Sequence, residues 1–259
     1  MRKPYIGGNW KMNLNRTGSC DLARAVADGV NSLRGSVEAA IFPPFVYLLA
    51  VKSILRERTT FVKLGAQDVY PDADGAFTGE ISVAMLKDCG VEVVLAGHSE
   101  RRHVMGENDE LVGRKVRAIL EAGLECVLCC GETLEQRLKG ETHAVNEQQV
   151  RAALAGVPGD HLAKLTIAYE PVWAIGTGKV ATPNDAQAAH EKIRGLLNTL
   201  YGDMWASRIR IQYGGSLKAA NAKSIFIESD VDGGLVGGSA LKGDEFNAIC
   251  KAAAEAKSQ

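Results

Sequence analysis

The chain of 259 residues predicts a closed (β/α)8 barrel, an α/β fold filling a single domain over residues 1–259. Three observations carry that expectation. Eight short apolar runs recur along the sequence, segments of helical periodicity separate them, and no linker or break in composition divides the chain. Strands alternating with helices make βαβ units and a parallel sheet. Eight such units in a chain of this length fit a closed barrel better than an open sheet. A doubly wound open sheet is the alternative that the same alternation allows.

The expected strands span residues 5–10, 37–42, 61–66, 91–96, 124–130, 165–168, 208–213 and 231–236. After the first, Leu22, Val26, Val30 and Leu33 repeat at three or four residues and predict an amphipathic helix. Leu111, Val112, Lys115, Val116, Ile119 and Leu120 predict another, with Gly123 placed to end it. Thr182-Pro183-Asn184-Asp185 sets a cap, a first-turn proline and an acid ahead of a helix running towards Tyr201. Asp244 is placed to cap the last helix, which carries Phe246 and Ile249.

Composition narrows the function classes. Apolar residues make up 46% of the chain, enough for one large core, and 30 basic residues nearly balance 31 acidic ones. With no basic tract and no acidic tail, nothing in the bulk charge points to nucleic acid or to a membrane surface. The N-terminus enters strand-like sequence at once, without the apolar stretch of a secretory signal. The longest apolar run, residues 39–51, is broken by Pro43-Pro44 and is too short to cross a bilayer. A soluble, cytoplasmic protein is expected. Six cysteines include a CxxC at Cys126 and Cys129, but on a strand residues three apart face opposite sides. Such a pair cannot share one zinc, so the expectation is buried thiols in a reducing compartment.

Barrel sites lie at the C-terminal ends of the strands, so each tip is read in turn. The first ends Gly8-Asn9-Trp10-Lys11. Asn9 and Lys11 share a face, and an amide beside an ammonium can hold an oxyanion. The fourth ends Gly97-His98-Ser99-Glu100-Arg101-Arg102, with His98 placed for acid–base work and the arginines for a structural ion-pair network. Ser99 lacks the setting of a nucleophile elbow, and His98 and His103 lack the spacing of a zinc pair. The sixth delivers Glu170, closed off by Pro171 and followed by Val172-Trp173-Ala174-Ile175-Gly176-Thr177-Gly178-Lys179. A base at a strand tip, then bulky apolar residues with a glycine-rich end, suits proton transfer under a cover that excludes water. The full nucleotide phosphate-loop pattern fails here, because Val180 follows Lys179. The seventh and eighth tips carry Gly214-Gly215-Ser216 and Gly237-Gly238-Ser239. Paired glycines let backbone N–H groups approach a ligand, and the loops after these two strands often bind phosphate in barrels. The loop from Gln67 to Gly79 is long for a βα connection and carries Tyr70, Pro71 and Phe77, which predicts docking against a second subunit.

Taken together, these motifs resemble the triosephosphate isomerase family. The likeness runs in the family's order from Gly8-Asn9-Trp10-Lys11-Met12-Asn13 through the tips just described to Leu235-Val236-Gly237-Gly238. It implies a homodimeric barrel without cofactor or metal that interconverts dihydroxyacetone phosphate and D-glyceraldehyde 3-phosphate in glycolysis and gluconeogenesis. It implies Glu170 as the base, His98 as the electrophile, and Lys11 with Asn9 as the oxyanion-stabilising pair. It also implies a phosphate grip from backbone around Gly176, Ser216, Gly237 and Gly238, and Glu100 as the acid that pairs with Lys11. Residues 67–79 would then be the interdigitating loop, with Thr78 reaching the partner's site. Departures are small: Leu217 stands where valine is common, Cys130 where isoleucine or valine is usual, and Ser239-Ala240 inverts the usual order. Two other readings set the limits. A sugar-phosphate aldolase would need a Schiff-base lysine inside a strand, whereas Lys164 lies at the wrong end of the barrel. A non-catalytic phosphate-binding barrel would have no need of Asn9, Lys11, His98 and Glu170 all at strand tips.

Overall fold

The computed structural model describes residues 2–175 and 180–257. Eight parallel strands close on themselves in sequence order. They are β1 (Tyr5–Asn9), β2 (Glu38–Phe42), β3 (Lys63–Ala66), β4 (Val93–Ala96), β5 (Glu125–Cys130), β6 (Leu165–Tyr169), β7 (Arg210–Tyr213) and β8 (Gly233–Val236). Closure removes the open sheet from consideration: Tyr5 pairs with Glu38 of β2 on one side and with Gly233 of β8 on the other. Gly233 permits that last pairing, since at φ 138° a Cβ there would come within 2.0 Å of the Tyr5 carbonyl oxygen.

Each expected strand lies where the apolar run put it, mostly shortened by one or two residues at its start. Side chains alternate across the wall as the pleat requires. Val93 and Leu95 of β4 and Val127 and Cys129 of β5 point into the barrel with Phe42, Ala168 and Leu235. Val94, Ala96, Cys126, Leu128 and Cys130 point outward to the helices. Cys126 and Cys129 therefore face opposite sides, as the spacing predicts. Burial pushes the Cys130 thiol up to about 12 and raises Cys126 and Cys129 as well, so these thiols stay protonated.

The helix Arg16–Val30 buries Leu22, Val26 and Val30, but Leu33 falls in a following 3-10 turn. The helix Asp109–Glu121 ends two residues before Gly123, whose φ of 78° turns the chain into β5. Thr182 and Asp185 form a reciprocal capping box on the helix Pro183–Tyr201. Asp244 departs from expectation. The last helix, Gly243–Ala256, starts two residues earlier with Lys242 as its cap, which leaves Asp244 inside the first turn. There its charge faces the positive helix end but caps nothing.

The N-terminal mouth of the barrel is closed by ions from four strands. Lys63 lies 2.6 Å from Glu125 and 3.1 Å from Glu38, and Arg210 lies 2.8 Å from Glu38. Burial pushes the Glu38 carboxyl up, but Arg210 and Lys63 outweigh it and hold the group below its ordinary range. Arg210 also sits 4.8 Å over the buried Tyr5 ring.

Candidate active site

The opposite mouth is open. Asn9, the last residue of β1, is buried, and its side-chain oxygen accepts the Lys11 N–H at 2.9 Å. Gln67, just past β3, donates to the Lys11 carbonyl at 2.8 Å and to the Phe42 carbonyl at 2.9 Å. Between those restraints Lys11 adopts φ 50°, a left-handed conformation that non-glycine residues rarely keep without support. Its ammonium lies 2.6 Å from the Glu100 carboxylate.

Gly97 turns the chain after β4, and His98 becomes the cap of the short helix Ser99–His103. The Glu100 N–H donates to His98 Nδ1 at 3.2 Å. A nitrogen that accepts cannot carry a proton, so we assign the neutral ring with its hydrogen on Nε2. That nitrogen stands 3.1 Å from Glu170 Oε1.

Glu170 follows β6 directly. Its backbone N–H still donates to Cys130 at 2.7 Å, so the carboxylate is carried by the sheet rather than by a free loop. Oε2 accepts the Ser99 backbone N–H at 2.9 Å, and the Ser99 hydroxyl lies 3.4 Å from Oε1. The turn Val172–Ala174 comes next. It is anchored to Glu132, a fully buried carboxylate just past β5 that accepts from Trp173 Nε1 at 2.8 Å and from the Tyr169 hydroxyl at 3.1 Å. Burial, reinforced by Glu132, raises Tyr169 far above its ordinary range, so it remains a donor. Gly176 lies outside the described residues.

Past β7, Gly214 packs against Glu170: a Cβ there would come within 2.8 Å of Glu170 Cγ. The Gly215 and Ser216 N–H groups make no hydrogen bond among the described residues. The Ser216 carbonyl is held by Asn221 at 3.0 Å. Past β8, Gly237 and Gly238 lead into the turn Gly238–Leu241, and the Ser239 hydroxyl donates to the Leu217 carbonyl at 2.8 Å. The inverted Ser239-Ala240 order thus ties the turn after β8 to the turn after β7.

Asn9, Lys11, His98, Glu170, Ser216, Gly237 and Gly238 all line one cleft of about 650 Å³. Glu100 is outside that lining and reaches the cleft through Lys11. The flanking arginines serve structure, as expected. Arg102 lies 2.6 Å from Asp109, and Arg101 lies 2.5 Å from Glu107 in a buried cluster with Asp68 and Lys115. Sequence reasoning missed three contributors: Gln67, Ser99 as a backbone donor, and Glu132. Glu132 alone left a signal, being an acid two residues past the apolar run of β5.

The class so defined is a (β/α)8 barrel with a carboxylate, an imidazole and an ammonium gathered at the C-terminal strand ends, where barrel enzymes hold their active sites. A family model described as triosephosphate isomerase matches residues 4–253. The chain is 49% identical over 251 residues to the triosephosphate isomerase of Carboxydothermus hydrogenoformans, covering 97% of this chain and 99% of that one. It is 46% identical over 253 residues to that of Chloroherpeton thalassium, covering 98% and 100%. To that of Rhodopirellula baltica it is 47% identical over 255 residues, covering 98% and 99%. The chain belongs to the triosephosphate isomerase family.

Proposed function

We propose that this chain, working as one barrel domain, interconverts dihydroxyacetone phosphate and D-glyceraldehyde 3-phosphate, with Glu170 as the base. The observation that carries this reading is the convergence of Asn9, Lys11, His98 and Glu170 on one cleft beside two glycine turns. Removing a C–H proton next to a carbonyl needs a positioned carboxylate and donors for the enediolate oxygen. Glu170 takes the proton from one carbon and returns it to its neighbour, while His98 passes a proton to the former carbonyl oxygen and recovers one from the neighbouring hydroxyl, so the reaction balances without an added reagent. His98 Nε2–H donates to the substrate oxygen, and Lys11 with Asn9 supplies charge and a second donor. Environment sets which of these groups acts as base and which as donor, as is general for this family.

Geometry adds one requirement. Glu170 Oε1 occupies the position 3.1 Å from His98 Nε2 that a substrate oxygen must take. The carboxylate therefore leaves His98 and Ser99 when substrate binds. The phosphate is held by the Ser216 and Gly215 amides, by Gly237 and Gly238, and by Gly176. Glu100 holds the Lys11 ammonium over the cleft. A coupled isomerase assay tests the reading: wild-type protein should turn over both triose phosphates, and unchanged kcat in Glu170→Gln would refute the assigned base.

The chain works as a cytoplasmic homodimer joined through the loop from Gln67 to Gly79. Residues 73–79 of that loop are exposed, Thr78 among them, and its Tyr70 and Phe77 rings lie 4.5 Å apart, tilted at 41°. Met12 is 95% exposed and Val46 80%. Apolar exposure of that size asks for a partner surface. Among the described residues no helix is long and apolar enough to cross a membrane. Light scattering on the purified chain should give twice the 27.6 kDa monomer mass.

A further inference from the structure

A second cavity lies at the far end of the barrel, and at about 660 Å³ it matches the cleft in size. It opens beside Leu165 and Arg210, the first residues of β6 and β7, and beside Arg2 and Lys3 just ahead of β1. Four of its lining side chains are cationic and none is acidic.

Charge accounting separates these cations into two pairs. Arg2 and Arg194 share the carboxylates of Asp230 and Asp232. Arg210 and Lys63 share Glu38, and Lys63 also holds Glu125. Those arginines are neutralised where they stand. The half-buried Lys3 and the Arg208 guanidinium make no hydrogen bond and no ion pair among the described residues. Arg208 instead lies 6.0 Å from the centre of the Trp205 ring. Two uncompensated cations thus face one cavity in a chain whose net charge is only −1. The apolar surface comes chiefly from the partly exposed indole of Trp205, since Leu162 and Leu165 are almost fully buried. Arg210, held over Tyr5 by its own ion pair, forms a rigid inner wall.

We propose that this cavity binds a phosphorylated organic anion carrying a flat ring, of the nucleoside polyphosphate class. The phosphates take Lys3 and Arg208, whose guanidinium matches a phosphate bidentately. The ring lies against Trp205. The volume falls in the range of small-molecule sites, which are mostly apolar with a few placed polar groups. Nothing in the isomerisation uses these residues, so the site is separate from the chemistry at the other mouth.

The test is a titration of the intact protein followed by tryptophan fluorescence, with ATP, tripolyphosphate and adenosine as separate probes. ATP should saturate the signal in the millimolar range or below, bind at least tenfold more tightly than adenosine, and bind more tightly than tripolyphosphate. The double variant Lys3→Glu/Arg208→Glu should weaken ATP at least tenfold and leave kcat/KM for the triose phosphates unchanged, which also shows that it folds. Arg208→Gln alone should weaken ATP by a smaller factor and serves if the double variant does not fold. Trp205→Phe should remove the fluorescence response while calorimetry still records binding. No saturation by ATP overturns the proposal. So does ATP affinity that is unchanged in the charge-altered variants, because the signal then comes from the catalytic cleft.

Discussion

The two mouths of this barrel use the same kinds of side chain to opposite ends. At the N-terminal mouth Glu38, Lys63, Glu125 and Arg210 satisfy one another. At the C-terminal mouth Lys11, His98 and Glu170 are each held from behind, by Glu100, by the Glu100 amide and by Ser99, with a cleft left in front. The difference is not one of charge or of burial, since ionic groups are substantially buried at both. It lies in where the partners sit. Partners on every side make a closed network that specifies the barrel, whereas partners on one side leave groups free to turn to a ligand. Lys11 shows the cost: its left-handed backbone is sustained by Asn9 and Gln67 instead of relaxing.

If that contrast holds, the largest effect comes from the open mouth and should appear in rate alone. Glu170→Gln should lower kcat by about 10³-fold, the middle of the range for a general base. Gln keeps an oxygen for the Ser99 N–H, so its urea midpoint should stay close to wild type. A large loss of stability would mean that Glu170 belongs to a closed network after all.

A third region sharpens the comparison, because it is closed to ligand yet incompletely satisfied. His190 is fully buried on the helix Pro183–Tyr201, with Nδ1 3.1 Å from the Asp230 carbonyl and Nε2 unpartnered. Burial lowers its pKa from 6.5 to about 4, against the pull of Asp230 and Asp232 and with Arg194 adding to the fall. Between those values the unfolded chain binds a proton that the native chain refuses. Its contribution is therefore complete above 6.5 and is lost as pH falls towards 4, on the order of 3 kcal/mol in all. His190→Asn keeps a donor for Asp230 and should flatten this part of the stability–pH curve. Equal slopes for both proteins would place the protonation elsewhere.

The closed mouth should behave as the mirror image of Glu170. Lys63→Met leaves Glu125 without its ion pair and Glu38 with Arg210 alone. Because these groups are 22–28% exposed, solvent screening discounts the loss to about 1–3 kcal/mol. Steady-state parameters should hold within about twofold, since nothing in the proton transfer passes through this layer. A fall in kcat with unchanged stability would dissolve the distinction between the mouths.

How much of this could be read in advance follows the same division. Strand positions were legible because each strand is a contiguous apolar run with alternating sides, as Val93 to Ala96 shows. Asn9, His98 and Glu170 were legible because the fold puts strand tips at one mouth, and tips can be counted. What was hidden depends on partners far apart in the chain. Gln67 acts on Lys11 across 56 residues, Ser99 on Glu170 across 71, and Glu132 on Trp173 across 41. No local pattern encodes those meetings; barrel closure creates them. The miss at Asp244 is of another kind. An acid near a helix start fits the cap and the first turn equally, and only backbone dihedrals settle the two-residue difference.

The smallest effect is the one most particular to this chain. By the resemblance read from the sequence, alanine is usual where Ser239 stands, and the Ser239 hydroxyl bridges the turns after β8 and β7 through the Leu217 carbonyl. Both turns contribute to the proposed phosphate grip, and the phosphate is bound alike before and during proton transfer. Loosening the bridge should therefore change binding more than turnover. Ser239→Ala removes one neutral hydrogen bond worth about 1 kcal/mol, which corresponds to roughly a fivefold rise in KM with kcat nearly constant. Inorganic phosphate, as a competitive inhibitor, should weaken by a similar factor. If the Ser239→Ala/Ala240→Ser exchange binds substrate as wild type does, the grip is indifferent to which residue ties it. If the exchange remains weak, the link to Leu217 is this chain's own means of aligning two strand tips on one anion.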